Sequence, residues 1–119
     1  MPARIVVVHD DAEYLDELAA GLRTEGYEVA TYPDPIAAWD ALEAARKTEV
    51  LVTRLGFPPG RSNGMALSRM AKSKRRDIKV LFLTSPENAE EVEDMGTLIV
   101  APAPTDAIVE AVKQSLGEP

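Results

Sequence analysis

Apolar positions along the chain switch repeatedly between strand-like and helix-like spacing, with a turn signal at almost every switch. Arg4 to Val8 carries a continuous β-branched run from Ile5 onward, the pattern of a central parallel strand buried on both faces. Leu15, Leu18, Ala19 and Leu22 follow at helical spacing, with Asp10 or Asp11 placed to cap that helix and Gly26 to end it. Glu28 to Tyr32 predicts a second strand. Asp34-Pro35 then sets a capping side chain and a first-turn proline ahead of a helix whose apolar stripe is Ile36, Trp39 and Leu42.

Val50 to Thr53 predicts a third strand, followed by a loop from Leu55 to Asn63 rich in Pro and Gly. Asn63 can cap a third helix that carries Leu67, Met70 and Ala71 inward. Ile78 to Leu83 has the strongest strand signal in the chain. Residues 86–96 predict a short acidic helix, Leu98 to Val100 a fifth strand, and Thr105 the cap of a last helix with Ile108, Val109, Val112 and Leu116 inward. Five β-then-α units, without internal repeats or a linker, imply one doubly wound α/β domain over residues 1–119. Its sheet is expected to be parallel, with helices on both faces and right-handed crossovers.

Composition narrows the function classes. The chain has 119 residues, no cysteine and a formal charge of −7. Disulfides and thiolate metal sites are thereby excluded, and nucleic acid is not expected as the main partner, because phosphate binding needs a basic footprint. The run Ile5 to Val8 is too short to span a membrane, so the expectation is a soluble, cytoplasmic protein. Charge is uneven: Arg69 to Lys79 holds six of the thirteen basic residues, and Glu87 to Asp94 holds five acids and no base. At the end of a helix the basic group matches the helix dipole, though it could also meet an acidic partner.

In a doubly wound sheet the ligand crevice lies at the carboxyl ends of the strands. The residues there are His9, Asp10 and Asp11; Thr53 and Arg54; Thr84 and Ser85; Ala101 and Pro102. The segments Arg4-Ile-Val-Val-Val-His-Asp-Asp-Ala-Glu13, Glu25-Gly-Tyr-Glu-Val29, Val50-Leu-Val-Thr-Arg-Leu-Gly-Phe-Pro58, Asn63-Gly64, Lys79-Val-Leu-Phe-Leu-Thr-Ser85 and Leu98-Ile-Val-Ala-Pro102 together resemble the receiver domains of two-component response regulators over essentially the whole chain. The resemblance implies a five-stranded receiver or flavodoxin-like sheet in the order 2-1-3-4-5.

Receivers hold Mg²⁺ with an acidic pair after the first strand and take a phosphoryl group on an aspartate ending the third. A Thr or Ser ends the fourth strand, and a Lys precedes a proline after the fifth. Carried onto this chain, the acidic pair becomes His9 and Asp10, and Arg54 stands at the acceptor position, four residues before Pro58. Thr84 keeps the hydroxyl, and Ala101 replaces the lysine before Pro102. A guanidinium cannot accept a phosphoryl group as a carboxylate does. The resemblance therefore implies a stand-alone pseudo-receiver, neither an enzyme nor dependent on a metal or cofactor, with no output domain after Leu116. It would act by binding a histidine kinase, another receiver or a copy of itself.

Two departures touch the surface on which receivers meet partners. The segment between Thr84 and Leu98 is about five residues shorter than the family leads one to expect, so the fourth helix should be shortened. Leu98 stands where receivers often carry a switching aromatic. Glu87, Glu90, Glu91, Glu93, Asp94 and Leu98 thus form the candidate interaction face. The loop from Pro58 to Gly64 is about two residues longer than usual.

The residues leave several alternatives open. Arg54 either pairs with Asp10 or extends into solvent. His9 is a packed, hydrogen-bonded residue, a metal ligand or a pH-sensitive group. Thr53 is a second hydroxyl to weigh as acceptor, and Tyr14 and Trp39 read as semi-buried. A working phosphorelay receiver with its acceptor moved to Asp10 or Asp11 is the second function. A flavodoxin-type small-molecule binder is the third, although the acidic loop His9 to Glu13 would repel a phosphate.

Overall fold

The computed structural model describes residues 3–44, 47–57 and 63–118. Five strands alternate with helices: β1 (Arg4–Val8), α1 (Ala12–Thr24), β2 (Glu28–Tyr32), α2 (Pro35–Glu43), β3 (Val50–Arg54), α3 (Gly64–Lys74), β4 (Lys79–Thr84), α4 (Ala89–Val92), β5 (Thr97–Val100) and α5 (Thr105–Ser115). All strand pairs are parallel, in the order β2-β1-β3-β4-β5. The expected doubly wound sheet is present, with its strand order.

Alternation along each strand creates two cores. Ile5 and Val7 point with Val50, Val52, Leu81 and Leu83 toward Leu18 and Leu22 of α1 and Ile108 and Val112 of α5. Val6 and Val8 point the other way with Leu51, Val80 and Phe82, toward Leu42 of α2, Leu67 of α3 and Val92 of α4. A strand apolar at every position can serve both cores only from the middle of a sheet covered on both sides. Ile5 through Val8 are accordingly without solvent exposure.

The caps follow the side chains available. Asp11, rather than Asp10, caps α1, accepting from the Tyr14 amide at 3.1 Å. Asp34 and Asn63 accept from the Ala37 and Ala66 amides, each at 2.8 Å. Thr105 does not cap α5: it is the first helical residue, behind Pro104, and no side chain caps that end. The stripe of α2 is also rotated from the expected one. Pro35, Ala38 and Leu42 are buried, Trp39 is half-buried, and Ile36 is 58% exposed. With Pro35 held against the sheet as the first residue, the 100° step per residue carries Ile36 outward.

The fourth helix is short, as expected. A 3₁₀ turn at Pro86–Asn88 leads into a single α-turn, and Val92 is its only buried residue. The chain then drops directly onto β4. A Cβ at Gly96 would lie 2.3 Å from the Val80 carbonyl oxygen, so only glycine allows this approach. The long-loop expectation for Pro58 to Gly64 falls largely outside the described residues.

Candidate functional site

Register determines what meets at the carboxyl edge. Val8 pairs with Thr53, so the next rung sets His9 beside Arg54; Arg54 itself pairs with Leu83, and Thr84 pairs with Val100. β1 continues one step beyond its end through the His9 amide, which donates to the Tyr32 carbonyl at 3.1 Å. The end of β3 is pressed against the start of α3. A Cβ at Gly64 would lie 1.9 Å from the Arg54 carbonyl oxygen, and the Gly64 amide donates to the Leu55 carbonyl at 2.8 Å.

Arg54 turns to Asp10 and not into solvent: its Nη1 donates to Asp10 Oδ1 at 2.5 Å. The two side chains are 39% and 33% exposed, so the pair sits at the rim. Partial burial opposes the Asp10 charge, but the hydrogen bond from Arg54 and the neighbouring positive charge outweigh it and hold the carboxyl below its usual range. The Arg54 guanidinium carbon also lies 5.8 Å from the centre of the Phe57 ring, within cation–π range.

His9 is a packed residue. Its Nδ1 accepts from the Asp11 amide at 3.0 Å, which assigns the proton of the neutral ring to Nε2. The ring tilts against Tyr14 with centroids 4.9 Å apart. Burial lowers its pKa foremost; Asp10 opposes that shift and Arg54 adds to it. Tyr14 is half-buried and donates its hydroxyl to the Ala103 carbonyl at 2.8 Å.

Thr84 Oγ1 accepts from Asn88 Nδ2 at 2.8 Å, and Ser85 donates to Glu87 Oε1 at 3.0 Å. The Thr53 hydroxyl is fully buried and donates to the Arg54 carbonyl at 2.9 Å, so it faces no reactant. Ala101 and Pro102 are exposed beyond β5, joined by a cis peptide bond. Two clefts flank Arg54. One of about 670 Å³ is lined by Leu55, Phe57, Leu83, Thr84, Asn88 and Glu91. The other, about 290 Å³, is lined by His9, Tyr14, Leu83, Ala101 and Pro102.

The structure thus brings His9, Asp10, Arg54, Thr84 and Ala101 to one edge. Asn88 and Phe57 were missed in the sequence, because an amide in a 3₁₀ turn and a loop aromatic carry no periodic signal. Glu87, Glu90, Glu91, Glu93 and Asp94 are exposed around α4. Leu98 is half-buried against the second core, and the exposed apolar residue on β5 is Val100, at 53%. The basic segment is partly tied down: Lys72 Nζ donates to the Ile78 carbonyl at 2.9 Å, and Arg75 lies 3.2 Å from Asp77.

This architecture, a five-stranded parallel sheet with its polar cluster at the carboxyl ends of β1, β3 and β4, is that of a receiver domain. Solved structures agree. The CheY-like response regulator receiver domain of Methanospirillum hungatei JF-1 superposes with a TM-score of 0.86 at 24% identity, over 98% of this chain and 95% of that one. The receiver domain of the hybrid histidine kinase CckA gives 0.80 at 26% identity, over 96% and 99%. Response regulator MprA of Mycobacterium sp. (strain KMS) is 31% identical over 91 residues, 76% of this chain and 38% of that protein. The chain therefore spans about two fifths of the length of the curated relatives it matches. No protein-family model matches the sequence. By fold and sequence kinship the chain belongs to the receiver domains of response regulators.

Proposed function

We propose that this chain is a pseudo-receiver: a two-component signalling module that takes no phosphoryl group and works by binding another protein. The observation that carries this reading is the Arg54–Asp10 pair, with Arg54 ending β3 where receivers place the acceptor aspartate. Attack on phosphorus needs a free carboxylate, whereas Arg54 is a fixed cation. The residues present also do not fit Mg²⁺, which requires several hard oxygen ligands. Asp10 is the one carboxylate there without a helix to cap, and it already holds a guanidinium. Ala101 supplies no positive charge for a transferring phosphoryl group.

The proposed binding surface is the acidic face around α4 and β5, from Glu87 to Asp94 with Leu98 and Val100. Its charge favours a basic surface on the partner, which this reading takes to be a histidine kinase, a second receiver or another copy of the chain. No helix among the described residues is long and apolar enough to cross a membrane.

The test is intact-mass spectrometry after incubation with Mg²⁺ and a small acyl-phosphate donor, beside a conventional receiver. The expected result is an unchanged mass. A stoichiometric, hydroxylamine-sensitive adduct would overturn the proposal and direct mutagenesis to Asp10 and Asp11.

A further inference from the structure

The larger cleft beside Arg54 is open to solvent and has a cation in its wall, and the pseudo-receiver reading leaves it without a task. We propose that it binds a small organic carboxylate non-covalently, and that the ligand competes with Asp10 for the Arg54 guanidinium. The inference goes beyond protein binding; it shares the Arg54–Asp10 pair with that reading and adds the cleft beside it.

Arg54 has five N–H donors, and its hydrogen bond to Asp10 occupies one of them. The same side chain lines the cleft, so the remaining edge of the guanidinium is within reach of a ligand there. Thr84 supplies a second donor: its oxygen accepts from Asn88, which leaves the hydroxyl proton free to turn into the cleft. Leu55 and Leu83 line the same space but are almost wholly buried, so the apolar surface open to a ligand there comes chiefly from the half-buried Phe57. At about 670 Å³ the cleft has the size of a small-molecule site, with a lining more polar than such sites usually have.

The charge balance selects a singly charged, planar head. Arg54 and Asp10 are together neutral, and Glu91 also lines the cleft. A dianionic phosphate would meet Glu91 and Asp10 with two charges. A carboxylate brings one, in the flat two-oxygen geometry that matches a guanidinium edge. Because Arg54 ends β3, its transfer from Asp10 to a ligand would loosen the link between the β1 and β3 loops.

The experiment is an amide and side-chain NMR titration of the full chain with sodium benzoate, repeated with inorganic phosphate. Benzoate should saturate with a dissociation constant of about 1 mM or tighter, shifting Arg54, Phe57, Leu83 and Thr84. Phosphate should bind more weakly. Arg54→Gln, which keeps the length and removes the charge, should weaken benzoate about tenfold or more. Asp10→Asn should tighten it, since the competitor is gone; a purely structural role for the pair predicts no such gain. Absence of saturation, phosphate binding tighter than benzoate, or an affinity indifferent to either substitution would overturn the proposal. Neither ligand changes the protein's mass, so this result and the acyl-phosphate result are read separately.

Discussion

β1 and β5 are parallel strands of one sheet and meet opposite fates. β1 lies between two neighbours and two helix layers, and its last four residues have no exposure. β5 is an edge strand of four residues, none of them fully buried, and Val100 stands open beside a fourth helix of one turn. The contrast separates scaffold from surface. On β1, Ile5 to Val8 are each held by a core, and the strand can be read from its apolar run alone. On β5, the cover is thin, and five exposed acids stand nearby, a charge that discourages edge-to-edge pairing. A partner of complementary charge would meet no such barrier.

The largest effects should fall at the centre. Phe82→Ala, which empties a fully buried site facing α3 and α4, should cost about 3–5 kcal/mol in urea unfolding. Gly64→Ala follows. A methyl group there must push away the Arg54 carbonyl, so a loss of about 1–3 kcal/mol is expected, with displaced NMR signals at Arg54 and Leu55. Arg54→Ala should cost only about 0–1 kcal/mol, because its ion pair is more than one third exposed and solvent screens it. A loss as large as that of Phe82→Ala would show that the strand-end pair belongs to the scaffold. At the edge, Val100→Thr should change stability by less than about 0.5 kcal/mol, and a larger loss would show that β5 is covered.

Acid should separate the same regions. The His9 pKa is lowered in the folded protein, chiefly by burial, and so is that of Asp10, through Arg54. In both cases the unfolded chain binds more protons, so stability falls as pH falls. The His9 contribution is complete above about pH 6.5 and declines below it; that of Asp10 declines only below about pH 4. His9→Asn offers an uncharged acceptor to the Asp11 amide. It should flatten the melting temperature between pH 7 and 5 and leave the more acidic limb in place. An unchanged slope would show that His9 titrates in the folded state as it does in the unfolded one.

Much of this molecule was legible in one dimension. Short apolar runs, Asp34-Pro35, Asn63 and the five-fold alternation specify the elements, because strand period, helix period and capping chemistry are local properties. The same holds for the chemistry at the acceptor position: an arginine four residues before Pro58 carries its charge in any fold. Tertiary structure alone decided the rest. Both Asp10 and Asp11 could cap α1; Asp11, directly before Ala12, does so, and Asp10 meets Arg54 of the neighbouring strand. Ile36 left its expected stripe because Pro35 fixed the rotation of α2 against the sheet. Gly96 reached Val80 only because a shortened helix lets the chain fall back on β4. Contacts between residues distant in sequence depend on register and on the direction of side chains, and neither is written in local periodicity.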